Sequence, residues 1–326
     1  MSFMSRDKFP LQFEKQIDQY ITEAYATAPT EYTMLAKVED FPAGRTYRQA
    51  QMTGVGAMRT WHEGEAINFD LPVEGNDITW TIEGRALGYQ YTPWMVRDSL
   101  HPERIKALND SLGFMARFRQ DVDWFRMLAQ ATSTAYRVAP DTKALLANNH
   151  VTLKSGDTIN NLASGSLTQT TLEAGFQYFM KLVREEGVPL VANPNCLIVS
   201  DAADYFLAKQ LLGQDMAVNA GYGSTDMNRT NPKNGIVPQT EIIFSKTLAR
   251  LMAAGAKLTP GNPAFTLAGK GWFLVDKAKL QLVFQWQDKF EVATGEDFNT
   301  GNALVKGTMR YAVGAKDYKA LYGYVG

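Results

Sequence analysis

Ile67-Asn68-Phe69-Asp70-Leu71 and Ile78-Thr79-Trp80-Thr81-Ile82 alternate apolar and polar residues on either side of the turn-rich Pro72-Val73-Glu74-Gly75-Asn76-Asp77. Period-two alternation puts every second side chain on one face of a strand, so the segment reads as a β-hairpin. Two strands bury too little apolar area in water to offset the entropy of ordering them. The hairpin must therefore lie on something else. It belongs to a lysine-free stretch, 45–91, punctuated by Gly54, Gly56 and Gly64.

Beyond this stretch, Ile105, Leu108, Leu112, Met115, Phe118, Val122, Phe125 and Ala129 recur every three or four residues. That spacing predicts one amphipathic helix over 102–134, with Pro102 in the first turn, where its missing N–H costs nothing. At 1.5 Å per residue it would extend roughly 50 Å. No other segment has comparable helical length, which argues against a helix bundle. A hairpin this extended, joined to a helix this long, implies a subunit that completes its packing on neighbours. Upstream, Leu11, Phe13, Ile17, Tyr20, Ile21 and Ala24 predict an amphipathic helical arm over 11–26, able to cap the core or reach a neighbour.

Residues 157–259 read as α/β. They hold a helix over 167–186 stopped by Gly187, a strand over 190–199, a helix over 202–212 and a strand over 240–244, with an aperiodic Gly/Asn/Pro loop over 219–238. The chain closes in β structure: 272–275 and 280–286 flank Asp276-Lys277-Ala278-Lys279 as a hairpin, and 309–313 adds a strand. The fold class is α+β. At 326 residues, two linked domains are expected.

Composition excludes several functions. The 33 basic and 34 acidic residues are well mixed, so no strong field draws the chain to nucleic acid or an anionic membrane. The N-terminus lacks the apolar core of a secretory signal, and no run of about 18 uncharged apolar residues suggests a membrane span. Asn228-Arg229-Thr230 is then a chance sequon. The lone Cys196, in an apolar run, reads as a small buried hydrophobe in a reducing compartment.

No catalytic, cofactor-binding or metal-ligating residues are predicted. His62, His101 and His150 are isolated, without the spacing a metal site needs. No local signature supports pairing Cys196 with a histidine as nucleophile and base. Gly54-Val55-Gly56-Ala57-Met58-Arg59 has arginine where a dinucleotide fingerprint needs its third glycine, and Ala268-Gly269-Lys270-Gly271 lacks the Ser or Thr of a phosphate loop. Glu185-Glu186 and Glu63/Glu65 read as solvated surface charge. Arg117, Arg119 and Arg126 on the long helix read as partners of acidic neighbours one turn away, with packaged nucleic acid as the competing use.

The order of arm, extended hairpin, long helix, α/β lobe and closing strands resembles the tailed-bacteriophage major capsid protein of the Hong Kong 97 type. Several stretches look like that family and its Mu-like relatives: Leu87-Gly88-Tyr89-Gln90-Tyr91-Thr92, Leu145-Leu146-Ala147-Asn148-Asn149-His150, Leu167-Thr168-Gln169-Thr170-Thr171-Leu172, Val188-Pro189-Leu190 before Pro194-Asn195-Cys196-Leu197-Ile198-Val199, and Arg310-Tyr311-Ala312 with Asp317-Tyr318. The resemblance implies an N-terminal arm (1–44), an extended loop hairpin (45–91), a peripheral domain with the spine helix (92–156), an axial domain (157–259) and return strands of the peripheral domain (260–326). Its loop over 219–238 would line the five-fold and six-fold openings.

The function implied is a major capsid protein, not an enzyme. It would self-assemble as hexamers and pentamers into an icosahedral virion shell around double-stranded DNA in the host bacterial cytoplasm. Implied partners are a separate scaffolding protein, a portal and decoration proteins, with no membrane and no cofactor. Some family members weld their shells through a lysine on the extended loop, but none occurs between Lys37 and Lys106, so a shell without such cross-links is expected. Two other readings compete: an encapsulin-type compartment holding a protein cargo, and an α/β enzyme of unknown chemistry.

Overall fold

The computed structural model describes residues 9–42, 44–67, 69–92, 102–212, 240–253, 269–297 and 299–326. The predicted loop over 219–238 and His101 lie outside them, as does Asn68.

The arm is helix α1 (Phe9–Thr27) and the long helix is α2 (Pro102–Ala129). At 28 residues α2 extends roughly 42 Å and stops five residues before the predicted end. The Ala131 amide tightens onto the Leu128 carbonyl (3.1 Å), and the Ala131 carbonyl takes the Leu146 amide (2.8 Å). The following Thr132-Ser133-Thr134 are residues whose hydroxyls compete for the backbone, which favours the reversal. The predicted apolar stripe divides in two. Val122, Trp124, Phe125, Met127, Leu128 and Ala129 are buried almost all round, so the C-terminal half is a core helix, while Leu108, Phe114 and Met115 are partly exposed.

Helix α1 lies along α2. Ile17 and Ile21 pack with Leu112, Tyr91 and Val305, and the Arg117 guanidinium covers the Tyr25 ring at 4.0 Å. Gly113 makes this approach possible: a β-carbon there would stand 2.6 Å from the Ile21 carbonyl oxygen and 2.7 Å from the Tyr25 nitrogen. After the arm, a 3-10 turn (Tyr32–Met34) is tied to α2 by Asp121, whose carboxylate accepts from the amides of Glu31 (3.0 Å) and Tyr32 (2.8 Å).

Two four-stranded sheets flank the core. In the first, β1 (Lys37–Asp40) runs parallel to β10 (Leu282–Glu296), which pairs with β11 (Ala303–Ala315) and through it with β4 (Glu83–Tyr91). In the second, the order is β12 (Leu321–Val325), β9 (Gly271–Val275), β7 (Cys196–Val199) and β8 (Glu241–Phe244). The predicted hairpin of 272–275 with 280–286 does not form. Both segments are strands, but the turn at Asp276 passes the chain from one sheet to the other. Every residue of β7 and β9 is buried, as befits central strands covered on both faces.

The α/β helices are α3 (Gln169–Met180), α4 (Ala202–Leu212) and α5 (Lys246–Met252). Helix α3 starts on a capping box between Thr168 and Thr171 and ends six residues before Glu186, its predicted end. Residues 182–190 instead fold back: the Arg184 amide donates to the Val188 carbonyl (2.8 Å) and the Leu190 amide to that of Leu182 (2.8 Å). Gly187 (φ +80°) closes this turn rather than a helix. The strand predicted over 190–199 is limited to β7.

The extended hairpin is also corrected. Strand β3 (Glu74–Thr81) pairs with β2 (Thr46–Met52), and the described residues Ile67, Phe69, Asp70 and Leu71 are not in a strand. The ribbon rests on the first sheet through Ile78, Trp80 and Ile82, which pack with Phe41, Val283 and Ala312. Trp80 donates its indole N–H to Gln285 (2.8 Å) and stacks on Tyr47 at 4.5 Å.

Gly113→Ala tests the α1–α2 packing. On an exposed helix the change would stabilise by about 1 kcal/mol. Here backbone overlap reverses the sign, and denaturant unfolding should show a loss of about 1–3 kcal/mol. Asp121 supplies a pH test. Burial, opposed by the two amide hydrogen bonds, lifts its carboxyl to about 6. The folded chain then holds a proton that the unfolded chain, with a carboxyl near 4, releases, so this stabilisation is complete below pH ~4 and lost as pH rises through 6. Asp121→Asn should flatten the fall in unfolding free energy between pH 4 and 6.5 by on the order of 2 kcal/mol; an unchanged slope would contradict the assignment.

Candidate functional site

Among the described residues, the chemistry-bearing side chains singled out in the sequence do not converge. His62 is exposed, whereas His150 is fully buried, stacked on Tyr318 with ring centroids 3.8 Å apart and Nδ1 2.7 Å from Asp141. Burial would raise the Asp141 carboxyl, but the His150 contact outweighs it and holds the group low. Cys196 is buried in β7, and burial pushes its thiol up to about 12. Lys270 pairs with Asp201, and the Lys270 amide donates to the Gly326 carbonyl (2.6 Å), so Gly269-Lys270-Gly271 is part of a β connection. Among the described residues no three His, Cys, Asp or Glu side chains are grouped to hold a metal, and no helix is long and apolar enough to cross a membrane.

Of Arg117, Arg119 and Arg126 on α2, Arg119 makes the expected pairing one turn away, to Asp123 at 2.8 Å. Arg117 donates to the Tyr25 carbonyl (2.9 Å), and Arg126 donates to Gln130 (3.0 Å) and covers the Tyr136 ring at 4.1 Å. Asp123 is buried and also accepts from Arg85 of β4 (2.8 Å) and the Tyr311 hydroxyl of β11 (2.7 Å), locking the long helix to the first sheet.

The feature without an internal purpose is the end of the β2–β3 ribbon. Thr53 and Val73 close it, with the Thr53 amide on the Val73 carbonyl (2.9 Å) and the Val73 amide on the Thr53 hydroxyl (2.8 Å). Between them the chain exposes Val55, Met58, Trp61, Ile67, Phe69 and Leu71, with Phe69 84 % and Leu71 78 % accessible. Isolated exposed apolar residues are ordinary, but six on one loop mark an interaction surface. Glu63 and Glu65 are exposed on this loop, as read from the sequence.

Glu185 departs from that reading. Its side chain is buried where two tight turns meet, one at 152–157 and the other at 184–187. Its carboxylate accepts from the Leu153 amide (2.7 Å) and from Gln51 of the ribbon (3.2 Å), and it pairs with Lys319. Its carbonyl accepts from the Lys154 and Ser155 amides at 3.2 and 3.1 Å. Neighbouring Glu186 accepts from the Gly54 amide, and Lys154 pairs with Asp70 at 2.5 Å. The Lys154 ammonium and the Gly56 N–H hold Asp70 below the usual carboxylate range. No local pattern could have announced this, because Glu185 and Lys319 lie 134 residues apart.

A two-sheet body, a spine of helix and a ribbon displaying apolar side chains define a structural subunit built to associate, the class to which viral shell proteins belong. The chain belongs to the phage capsid protein family, which its residues 95–323 match. It is accordingly a phage capsid protein, a component of the virion shell. The fold is similar to the mature capsid of bacteriophage PhiM1 (14 % identity, 92 % of this chain and 87 % of that one, TM-score 0.59). It is also similar to the capsid of cyanophage P-SCSP1u (12 %, 91 % and 88 %, 0.56) and that of Myoviridae phage XM1 (10 %, 92 % and 92 %, 0.51). No curated protein matches the chain. The family match begins after the ribbon, so the ribbon's role rests on its own geometry.

Thiol chemistry checks the contrast between core and loop. Cys196 should stay unreactive to a disulfide reagent at pH 8 until the chain is denatured, whereas a Met58→Cys variant should label at once in the free subunit. Rapid labelling of native Cys196 would contradict its burial.

Proposed function

We propose that this chain self-assembles as hexamers and pentamers into an icosahedral shell enclosing double-stranded DNA, with loop 53–73 seated on an adjacent copy. The observation that carries the reading is the set of apolar side chains left in solvent on a loop whose base is firmly attached to the body. Burying them on neighbours contributes many moderate contacts that sum over a closed assembly. The role is structural, without catalysis. Following the Hong Kong 97 pattern, the proposal keeps an arm (1–44), an extended loop (45–91), a peripheral unit (92–156 with 260–326) and an axial unit (157–259), although β9 and β12 hydrogen-bond within the sheet of β7. Scaffolding, portal and decoration proteins complete the assembly, which takes place in the host bacterial cytoplasm.

Stretch 38–105 contains no lysine, so the shell is held without lysine-mediated welds on the extended loop. Electron microscopy of the chain expressed alone and with candidate scaffold genes should show closed particles tens of nanometres across, dissolving to monomers in hot detergent. Monodisperse monomers or dimers under both conditions would remove the shell reading, and a ladder surviving hot detergent would remove the uncross-linked one. Replacing 54–72 by Asn-Gly, which suits a two-residue turn between paired strands, should leave a folded subunit that closes no particles.

A further inference from the structure

We propose that Glu185 and Glu186 form a clamp that fixes the direction in which the β2–β3 ribbon leaves the body, and so the geometry with which copies join. The second half of this inference rests on the shell reading; the first does not. The ribbon has two supports far apart along its length. At its base, Trp80 sits on the first sheet, where Gly314 leaves room for the indole: a β-carbon at 314 would stand 2.6 Å from it. That support combines apolar packing with the Trp80–Gln285 hydrogen bond, but the β2–β3 ladder is separate from the first sheet and only Ile82 links β3 to β4 within it, which leaves a pivot at the base of the ribbon.

The second support removes the pivot. Gln51 and Gly54, on either side of the ribbon's end, are held by adjacent carboxylates of one tight turn. Glu185 is itself immobilised by Lys319, by the Leu153 amide and by its own carbonyl's two hydrogen bonds. A buried carboxylate with a buried ammonium and directional N–H donors has few alternative arrangements, because each departure leaves a charge or an amide without a partner. Gly75 brings the opposite strand against the same turn pair, with a β-carbon at 75 placed 2.5 Å from Leu153. Lys154 reaches from that turn to Asp70 on the returning limb of the loop. Both limbs are thus referenced to one rigid point, and Glu186 is the member that can be altered without disturbing the Glu185–Lys319 pair.

The test compares wild type with Gln51→Ala/Glu186→Ala, which releases the ribbon, and with Glu186→Gln, which keeps an acceptor for the Gly54 amide. Hydrogen exchange of the free subunit should accelerate at least tenfold over residues 53–57 and 74–76 in the double variant, with β7, β9 and the melting temperature unchanged. Glu186→Gln should behave as wild type. In assembly, the double variant should give particles of mixed diameter where wild type gives one. Unchanged exchange at 53–57 would overturn the clamp. Faster exchange with particles as uniform as wild type would overturn its control of joining geometry. If wild type forms no particles under any condition, the shell reading fails, while the exchange comparison still decides the clamp.

Discussion

Six large apolar side chains on loop 53–73 find no cover among the described residues, and the rest of the molecule is arranged around that fact. Each would contribute about 1.5–3 kcal/mol on full burial, less the cost of ordering and association. A single copy cannot collect this, because the body's own core is already closed around β7, β9 and the second half of α2. In the proposed assembly, another copy supplies the covering surface.

A display surface is useful only if its position is defined, and two polar junctions do this. Asp123 gathers Arg85, Arg119 and Tyr311, so α2, β4 and β11 move as one piece. Glu185 gathers Gln51, Leu153 and Lys319, joining the ribbon to the turns beneath it and to the C-terminal segment. Both carboxylates are buried, and both are matched by cations and directional donors, the condition under which a buried charge is tolerable.

Much of this was legible in the sequence, for identifiable reasons. Long periodic signals survived: the arm, the start of the spine helix, the helix at 202–212 and the strand inside β11 are where their spacing put them. The errors came where local pattern competed with distant partners. Ile67–Leu71 alternates as a strand should, yet among the described residues no strand pairs with it, and β3 instead takes the more polar β2. The apolar run 272–275 was joined to its nearest neighbour in sequence, but a strand apolar on both faces belongs at the centre of a sheet, between β7 and β12. Glu185-Glu186 before a glycine has the look of a solvated helix end, and only contacts across more than a hundred residues reveal it as a junction.

The most direct measurement is a single-particle reconstruction of the assembled chain at a resolution that shows side chains. The account predicts loop 53–73 lying on an adjacent copy, with Val55, Ile67, Phe69 and Leu71 covered there and the Glu185–Lys319 junction intact at its root. A closed particle in which this loop projects into solvent, or folds back on its own body, would contradict it.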